Sequence, residues 1–272
     1  MSSRPKLHHY TSQAGLIGMA QFKSIWLTNV LFMNDSQEYF YGLEIVKRII
    51  TEKYHPYLAS QLDSPELRYQ RYPSLFSFSL TESSDLLSQW RGYCPQGGFS
   101  VEFNYSAISK LLADNPELEI KKCVYNEAEI EEFVTSEIVR MSVEDYNKRK
   151  AFEKEKGMTD KGLGLLPQEI LERTFRNLPF IKHPGFSEEK EWRIVNKPHF
   201  DQPLTTFRNK LKFRQGRSRI VPYLEFKVEY DPIFPSAILS PNNDDPHSIV
   251  ATQLLLEHNN VSKSDIPYLP FI

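Results

Sequence analysis

Cysteine is scarce in this chain: Cys94 and Cys123 are the only two, too few for a disulfide framework and without metal-ligand spacing. A reducing, cytoplasmic setting is therefore expected. No apolar run approaches the roughly 18 residues of a membrane-spanning helix. The opening Met1-Ser2-Ser3-Arg4-Pro5 carries no apolar stretch of signal-peptide length, so neither secretion nor a membrane partner is expected. Charge of one sign is lacking too, since 33 basic residues meet 35 acidic ones for a formal net charge of −2. That balance excludes a global field for a polyanion, and nucleic acid would need a local patch. The one basic run, 208–219 with Lys210, Lys212, Arg214 and Arg217, reads equally well as a phosphate or RNA contact and as an ordinary amphipathic segment. A Walker loop, a GxGxxG turn and a zinc ligand set are all missing, which removes the residues that nucleoside triphosphate, Rossmann and zinc chemistries require.

What is present suits one large α+β domain: 272 residues, 40% hydrophobic and 25% charged. A short strand at 7–10, a helix at 13–22 and a strand at 24–27 open the chain. Asn34-Asp35-Ser36 offers caps for a long helix in which Tyr39, Phe40, Leu43, Val46, Ile49 and Ile50 recur at helical spacing. Residues 73–80 alternate, with Ser77 and Ser79 on one side and Phe76, Phe78 and Leu80 on the other, as a strand that buries one face requires. A short helix at 84–90, a Gly97-Gly98 turn and a strand at 99–103 follow. The charged stretch 127–156, a loop at 157–164 and a helix at 167–177 read as a helical insertion at roughly 126–180. Strands at 191–195, 219–228 and 237–240 and a helix at 245–258 complete a single compact domain, 1–272, around a twisted mixed sheet.

Three polar clusters on these strands suggest chemistry. In Glu189-Lys190-Glu191-Trp192-Arg193 a charged run turns into a strand, placing Glu191 at its mouth. Breaking the glycosidic carbon–nitrogen bond of NAD develops positive charge on the ribose, and a fixed carboxylate on the ribose hydroxyl stabilises it. Glu191 is the candidate for that role, and Glu191→Gln is expected to lose rate with little change in fold. Glu189, two residues earlier and on the same face if the strand includes it, would orient or deprotonate the acceptor. His9 can donate to a ribose hydroxyl while Tyr10 supplies a stacking face, with Thr11 alongside and His8 pointing the other way. Ser77 and Ser79 would support the carboxylate. Trp90-Arg91-Gly92-Tyr93 offers a stacking ring, a guanidinium for pyrophosphate and a glycine for close approach.

A bland account stands beside each: a solvated charge run, a strand-end histidine, a core tryptophan. A different chemistry also fits, a magnesium-dependent nuclease built on Glu188-Glu189-Lys190 with Asp35 or Glu102 as further ligand and Lys190 polarising the water. A non-catalytic binding or regulatory module is the third reading.

His9-Tyr10-Thr11, Trp26-Leu27-Thr28, Asn34-Asp35 with Glu38, Phe78-Ser79-Leu80-Thr81, Gln89-Trp90 with Tyr93, residues 98–103, residues 189–193 and Ser264-Asp265-Ile266-Pro267-Tyr268 together resemble a bacterial intracellular family of unknown function. The resemblance spans nearly the whole chain. That family in turn looks distantly like the ADP-ribosyltransferases. The likeness implies NAD as substrate, His9 in the first position, Ser77 and Ser79 or Tyr93 in the second, and Glu191 in the third, with Glu189 completing a Glu-x-Glu. It further implies a protein or nucleic-acid acceptor, or water as in NAD glycohydrolysis, a possible role as toxin or defence effector, and an antitoxin or immunity partner to match.

Overall fold

The computed structural model describes residues 5–33, 37–54, 56–60, 62, 74–141, 143–157, 166–197, 207–216, 218–229, 233–243 and 245–260. The caps expected at Asn34-Asp35-Ser36, the metal ligand Asp35 and the closing 264–268 motif lie outside these residues, as do Arg217, most of the 157–164 loop and Pro73, the first residue of the strand expected at 73–80.

The chain opens with β1 (Leu7–Thr11), α1 (Gln13–Phe22) and β2 (Ser24–Asn29), followed by α2 (Gln37–Lys53) and the short α3 (Pro56–Ser60). Ser12 caps α1 by accepting from the Gly15 amide at 3.2 Å, one of the N–H groups a helix start leaves without a partner. Next come β3 (Phe76–Thr81), α4 (Leu87–Tyr93), β4 (Phe99–Phe103), α5 (Tyr105–Asp114) and β5 (Leu118–Lys122). A helical stretch follows: α6 (Glu127–Phe133), a π-helical turn Val134–Val139, α7 (Val143–Glu155) and α8 (Leu166–Asn177). Then come β6 (Glu191–Asn196), β7 (Leu211–Gln215), β8 (Ile220–Lys227), β9 (Ser236–Leu239) and α9 (Pro246–His258).

The strands join one nine-stranded sheet, β7-β8-β2-β3-β1-β4-β9, with β6 on the other edge of β3 and β5 beyond it. Every strand ladder among the described residues is antiparallel. The expected mixed sheet is thus corrected. The single parallel pairing is the isolated bridge Val124↔Ile181, and the connections are hairpins and crossovers that reverse strand direction. Two strands were not expected at all: β5, where Leu118 and Ile120 alternate among charges, and β7, inside the basic run. Lys212 and Arg214 on β7 give this open edge the positive charge that discourages further strand pairing.

β3 is the branch point. β6 covers one of its edges from Ser77 to Thr81, while the other is shared by β2, at Phe76 and Ser77, and β1, at Thr81. Between those two partners the strand has a gap at Ser79. One face of the sheet carries Leu7, Leu27, Phe76, Phe78, Leu80, Phe99, Val101, Phe103 and Ile194, buried together with residues of α1, α5 and α9. On the opposite face, Val195 joins a second core made with Tyr39, Leu43, Val46 and Ile50 of α2 and with Ile130, Val134, Ile138, Ile170 and Phe180 from the 126–180 stretch. Each such fully buried aliphatic or aromatic side chain contributes about 1.5–3 kcal/mol. The stretch expected as an insertion therefore supplies half of a core. Elsewhere on this face Tyr10 packs with Trp90 and Cys94 of the α4 region. A small cleft lies on the same face, between Tyr10 and α4 on one side and Glu189 and Glu191 on the other.

Candidate functional site

Register decides which side chains reach the cleft. Antiparallel partners point to the same face, so His8↔Thr81, Thr81↔Glu191 and Ser79↔Arg193 place His8, Ser79, Thr81, Glu191 and Arg193 together. His9 lies opposite Val101, on the other face of β1, yet it too lines the edge of the cleft, together with Tyr10. Its ring stacks on Phe78 with centroids 4.2 Å apart, and Nδ1 is 2.8 Å from the Ser79 carbonyl. A carbonyl only accepts, so Nδ1 carries the proton and His9 fills the gap in the β3 edge. Burial is the main force that lowers its pKa, to about 4 from 6.5, against the opposing pull of the Ser79 hydrogen bond. His8, expected to point away, is the histidine on the Glu191 face. It is 4% exposed, and its Nδ1 is buried without a hydrogen-bond partner among the described residues. Burial lowers the His8 pKa as well, with Glu102 opposing.

The other expected residues divide between scaffold and cleft. The Tyr10 hydroxyl donates to the Ser83 carbonyl (3.1 Å), accepts from the Leu86 amide (2.8 Å), and its ring meets Trp90 edge-on. Trp90 is buried and donates to Asp85 at 2.6 Å. Thr11 is buried behind them and Arg91 is exposed on α4. Ser77 shares the Glu191 face but is buried, its hydroxyl without a partner among the described residues. Ser79, Gln89 and Tyr93 line the cleft with the two glutamates. Burial, then the nearby Glu191, raises the Tyr93 hydroxyl well above its ordinary range.

Glu189 does not belong to β6, which starts at Glu191 as expected, so the condition that would put both carboxylates on one strand face is not met. It ends the 3-10 turn Pro184–Glu189, and Lys190, left-handed at φ 42°, reverses the chain before Glu191. The two carboxylates meet through that turn and through a residue that sequence reasoning missed. Lys182 follows the 3-10 turn Leu178–Phe180 and is held by backbone bonds across the Val124↔Ile181 bridge. Only 2% of Lys182 is exposed. Its Nζ contacts Glu191 at 2.5 Å, Glu189 at 2.6 Å and Glu38, from α2, at 3.0 Å. Arg193 completes the cluster. It donates from Nε to Glu191 Oε1 (2.6 Å) and from Nη2 to Glu191 Oε2 (3.0 Å) and Glu38 (2.7 Å), and its Nη1 donates to the Pro179 carbonyl (2.6 Å). With Glu38, Glu189 and Glu191 against Lys182 and Arg193, the ionised cluster carries one excess negative charge.

The two cleft carboxylates shift in opposite directions. Burial alone would raise Glu191, but Arg193 and Lys182 outweigh it and bring its pKa to about 2 from 4.5. Glu189 is raised, first by burial and then by Glu191 and Glu38, and Lys182 only partly offsets them. Glu191 stays ionised while Glu189 titrates closer to neutrality.

Residues 89–194 match a family described as a protein of unknown function, DUF2971. The matched segment runs from Gln89 to Ile194, so it holds Tyr93, Lys182, Glu189, Glu191 and Arg193 and leaves out His8 and Glu38. No curated protein and no solved structure matches the chain.

Of the residues considered for a nuclease, Asp35 lies outside the described residues. Glu188 accepts from Ser88 (2.7 Å), Lys190 turns the chain, and Glu102 sits on β4 against Ser236 (2.9 Å) and Lys6 (3.2 Å). Among the described residues no group of three or more His, Cys, Asp or Glu side chains is disposed to hold a metal ion, and no helix is long and apolar enough to cross a membrane. A hint of Lys182 was present in the sequence: a lone lysine closing the apolar run Leu178-Pro179-Phe180-Ile181. Nothing in that run says which carboxylates it meets.

Proposed function

We propose that this cleft cleaves the N-glycosidic bond of NAD, passing ADP-ribose to a protein or nucleic-acid acceptor or to water, in the manner of the ADP-ribosyltransferases. The observation that carries the reading is a pair of carboxylates on one ammonium, lining one cleft, with pKa values pushed apart. Such a pair divides the work of bond cleavage between a permanent anion and a group that handles protons.

As the carbon–nitrogen bond breaks, its electron pair leaves on nicotinamide and positive charge develops on the ribose. Glu191, ionised at any ordinary pH, faces that charge. A carboxylate has about four acceptor positions. Glu191 gives three to Arg193 and Lys182, which leaves one for a sugar hydroxyl. Glu189, with its raised pKa, takes the proton of the attacking water or acceptor as the new bond to the sugar carbon forms. His8 supplies a neutral ring nitrogen without a partner among the described residues, and the 40% exposed Tyr93 supplies a face for a flat ring.

Incubation of the purified protein with NAD in the absence of metal, following free nicotinamide, tests this reading. Release by the wild type and its loss by at least about a hundredfold in Glu189→Gln, in line with the contribution of a general base, supports it. No release by the wild type, with or without cell lysate as acceptor, rejects it.

A further inference from the structure

Lys182 does not merely neutralise charge; its position joins three elements at the cleft. Its ammonium bridges Glu38 of α2, Glu189 of the 3-10 turn and Glu191 of β6, and the Phe186 ring lies 5.2 Å away. The backbone at Lys182 is itself fixed by the hydrogen bond that its N–H donates to the Val124 carbonyl at 3.0 Å. A cation so placed is anchored from behind and holds its partners from the front. The turn that carries Glu189 has its own fastening, the Thr81 hydroxyl bonded to the Glu189 carbonyl, but Lys182 is the group that fixes where the Glu189 carboxylate goes.

We propose that Lys182 is the positioning residue of the cleft, tying Glu189 to Glu191 so that the two act as a pair, one ionised and one exchanging protons. This rests on the reading of the pair as the working groups. An ammonium suits the role because it offers three donors in a tetrahedral spread, one for each carboxylate here, whereas a planar guanidinium favours two oxygens side by side. Arg193 fills that second role, forked onto Glu191 and Glu38. The charged and titratable groups facing Lys182 are Glu38 from α2, Glu189, Glu191 and Arg193 around β6, Tyr93 from α4, and Cys123 and Tyr125 after β5. The carboxylates outnumber the cations among them, so removing the ammonium leaves three acids to share Arg193.

Two variants test the proposal: Lys182→Gln, and Lys182→Gln combined with Glu38→Gln. The second removes one charge of each sign, so the cluster keeps its net charge and avoids the uncompensated buried acid that the single variant leaves. Carboxyl titration by carbon-13 NMR is read alongside the pH profile of nicotinamide release. In the double variant Glu191 is expected to titrate at least about one unit higher than in the wild type, equivalent to a tenfold change in the ionisation equilibrium. The Glu189 resonance is expected to lose its coupling to Glu191, and the acid limb of the rate profile to move by a similar amount with a kcat loss of about tenfold. An unchanged Glu191 titration in a folded variant overturns the proposal. A wild type that releases no nicotinamide rejects the reading on which it rests, while the NMR titration still decides whether Lys182 couples the two acids.

Discussion

Replacing Glu191 by glutamine is expected to cost about 3 kcal/mol of stability at neutral pH, a consequence that the sequence alone did not suggest. The carboxylate is 5% exposed and bound by Lys182 and Arg193. Its pKa falls from 4.5 to about 2 on folding, and at about 1.4 kcal/mol per unit that difference is worth ~3 kcal/mol. Because the folded value is depressed, this stabilisation is complete above the unfolded value and fades as pH falls through the folded one. Glutamine keeps the shape but leaves the two cations facing a neutral amide. Relief of like-charge repulsion on Glu189 acts the other way. Urea unfolding of wild type and Glu191→Gln across a pH series is the assay. The gap is expected to hold steady above pH 5 or so, to narrow below 4.5 and to close towards 2. For a chain of this size it corresponds to roughly 6–12 °C in Tm. A gap under about 1 kcal/mol at pH 7, or one that persists unchanged at pH 3, would refute the claim that Lys182 and Arg193 hold Glu191 as an anion.

Three further outcomes follow from the register and the packing. His9→Ala is expected to destabilise the protein by about 1–3 kcal/mol through the orphaned Ser79 carbonyl and the lost Phe78 contact, whereas His8→Ala, on the cleft face, lowers NAD binding with a smaller stability cost. Thermal unfolding and NAD titration of both variants distinguish them, and the reverse ranking would contradict the assignment of faces. Because His9 titrates near 4 in the folded protein and near 6.5 when unfolded, it favours unfolding increasingly as pH drops from about 6.5 to 4, and that slope should vanish in His9→Ala. Gly98→Ala places a Cβ 2.4 Å from the Thr11 carbonyl and 2.7 Å from Cys94 Sγ, between β1 and the end of α4. The overpacking is expected to cost at least 1–3 kcal/mol, read as a lower urea midpoint, and a wild-type midpoint would show that the β1–α4 contact yields freely.

Local pattern by itself determined most of the elements and which of their faces are buried, but not the second core, to which the stretch read as an insertion contributes. The alternation of Phe76, Phe78 and Leu80 against Ser77 and Ser79 defined β3 and its buried face, and the helical spacing of Tyr39, Leu43, Val46 and Ile50 defined α2, because both periods are properties of the backbone. The grouping of Glu189, Glu191 and Tyr93 was legible as three polar features near predicted strands. Parity across β1 was not: a one-residue choice of register exchanges His8 for His9, and only the pairing of His8 with Thr81 makes that choice. Nor did charge pattern distinguish a solvated run from a buried cluster, since Glu189 and Glu191 look alike until Lys182, seven and nine residues away, and Glu38, from α2, arrive from other elements. Burial and charge pairing are sums over neighbours brought together in space, and the tertiary structure alone decides who those neighbours are.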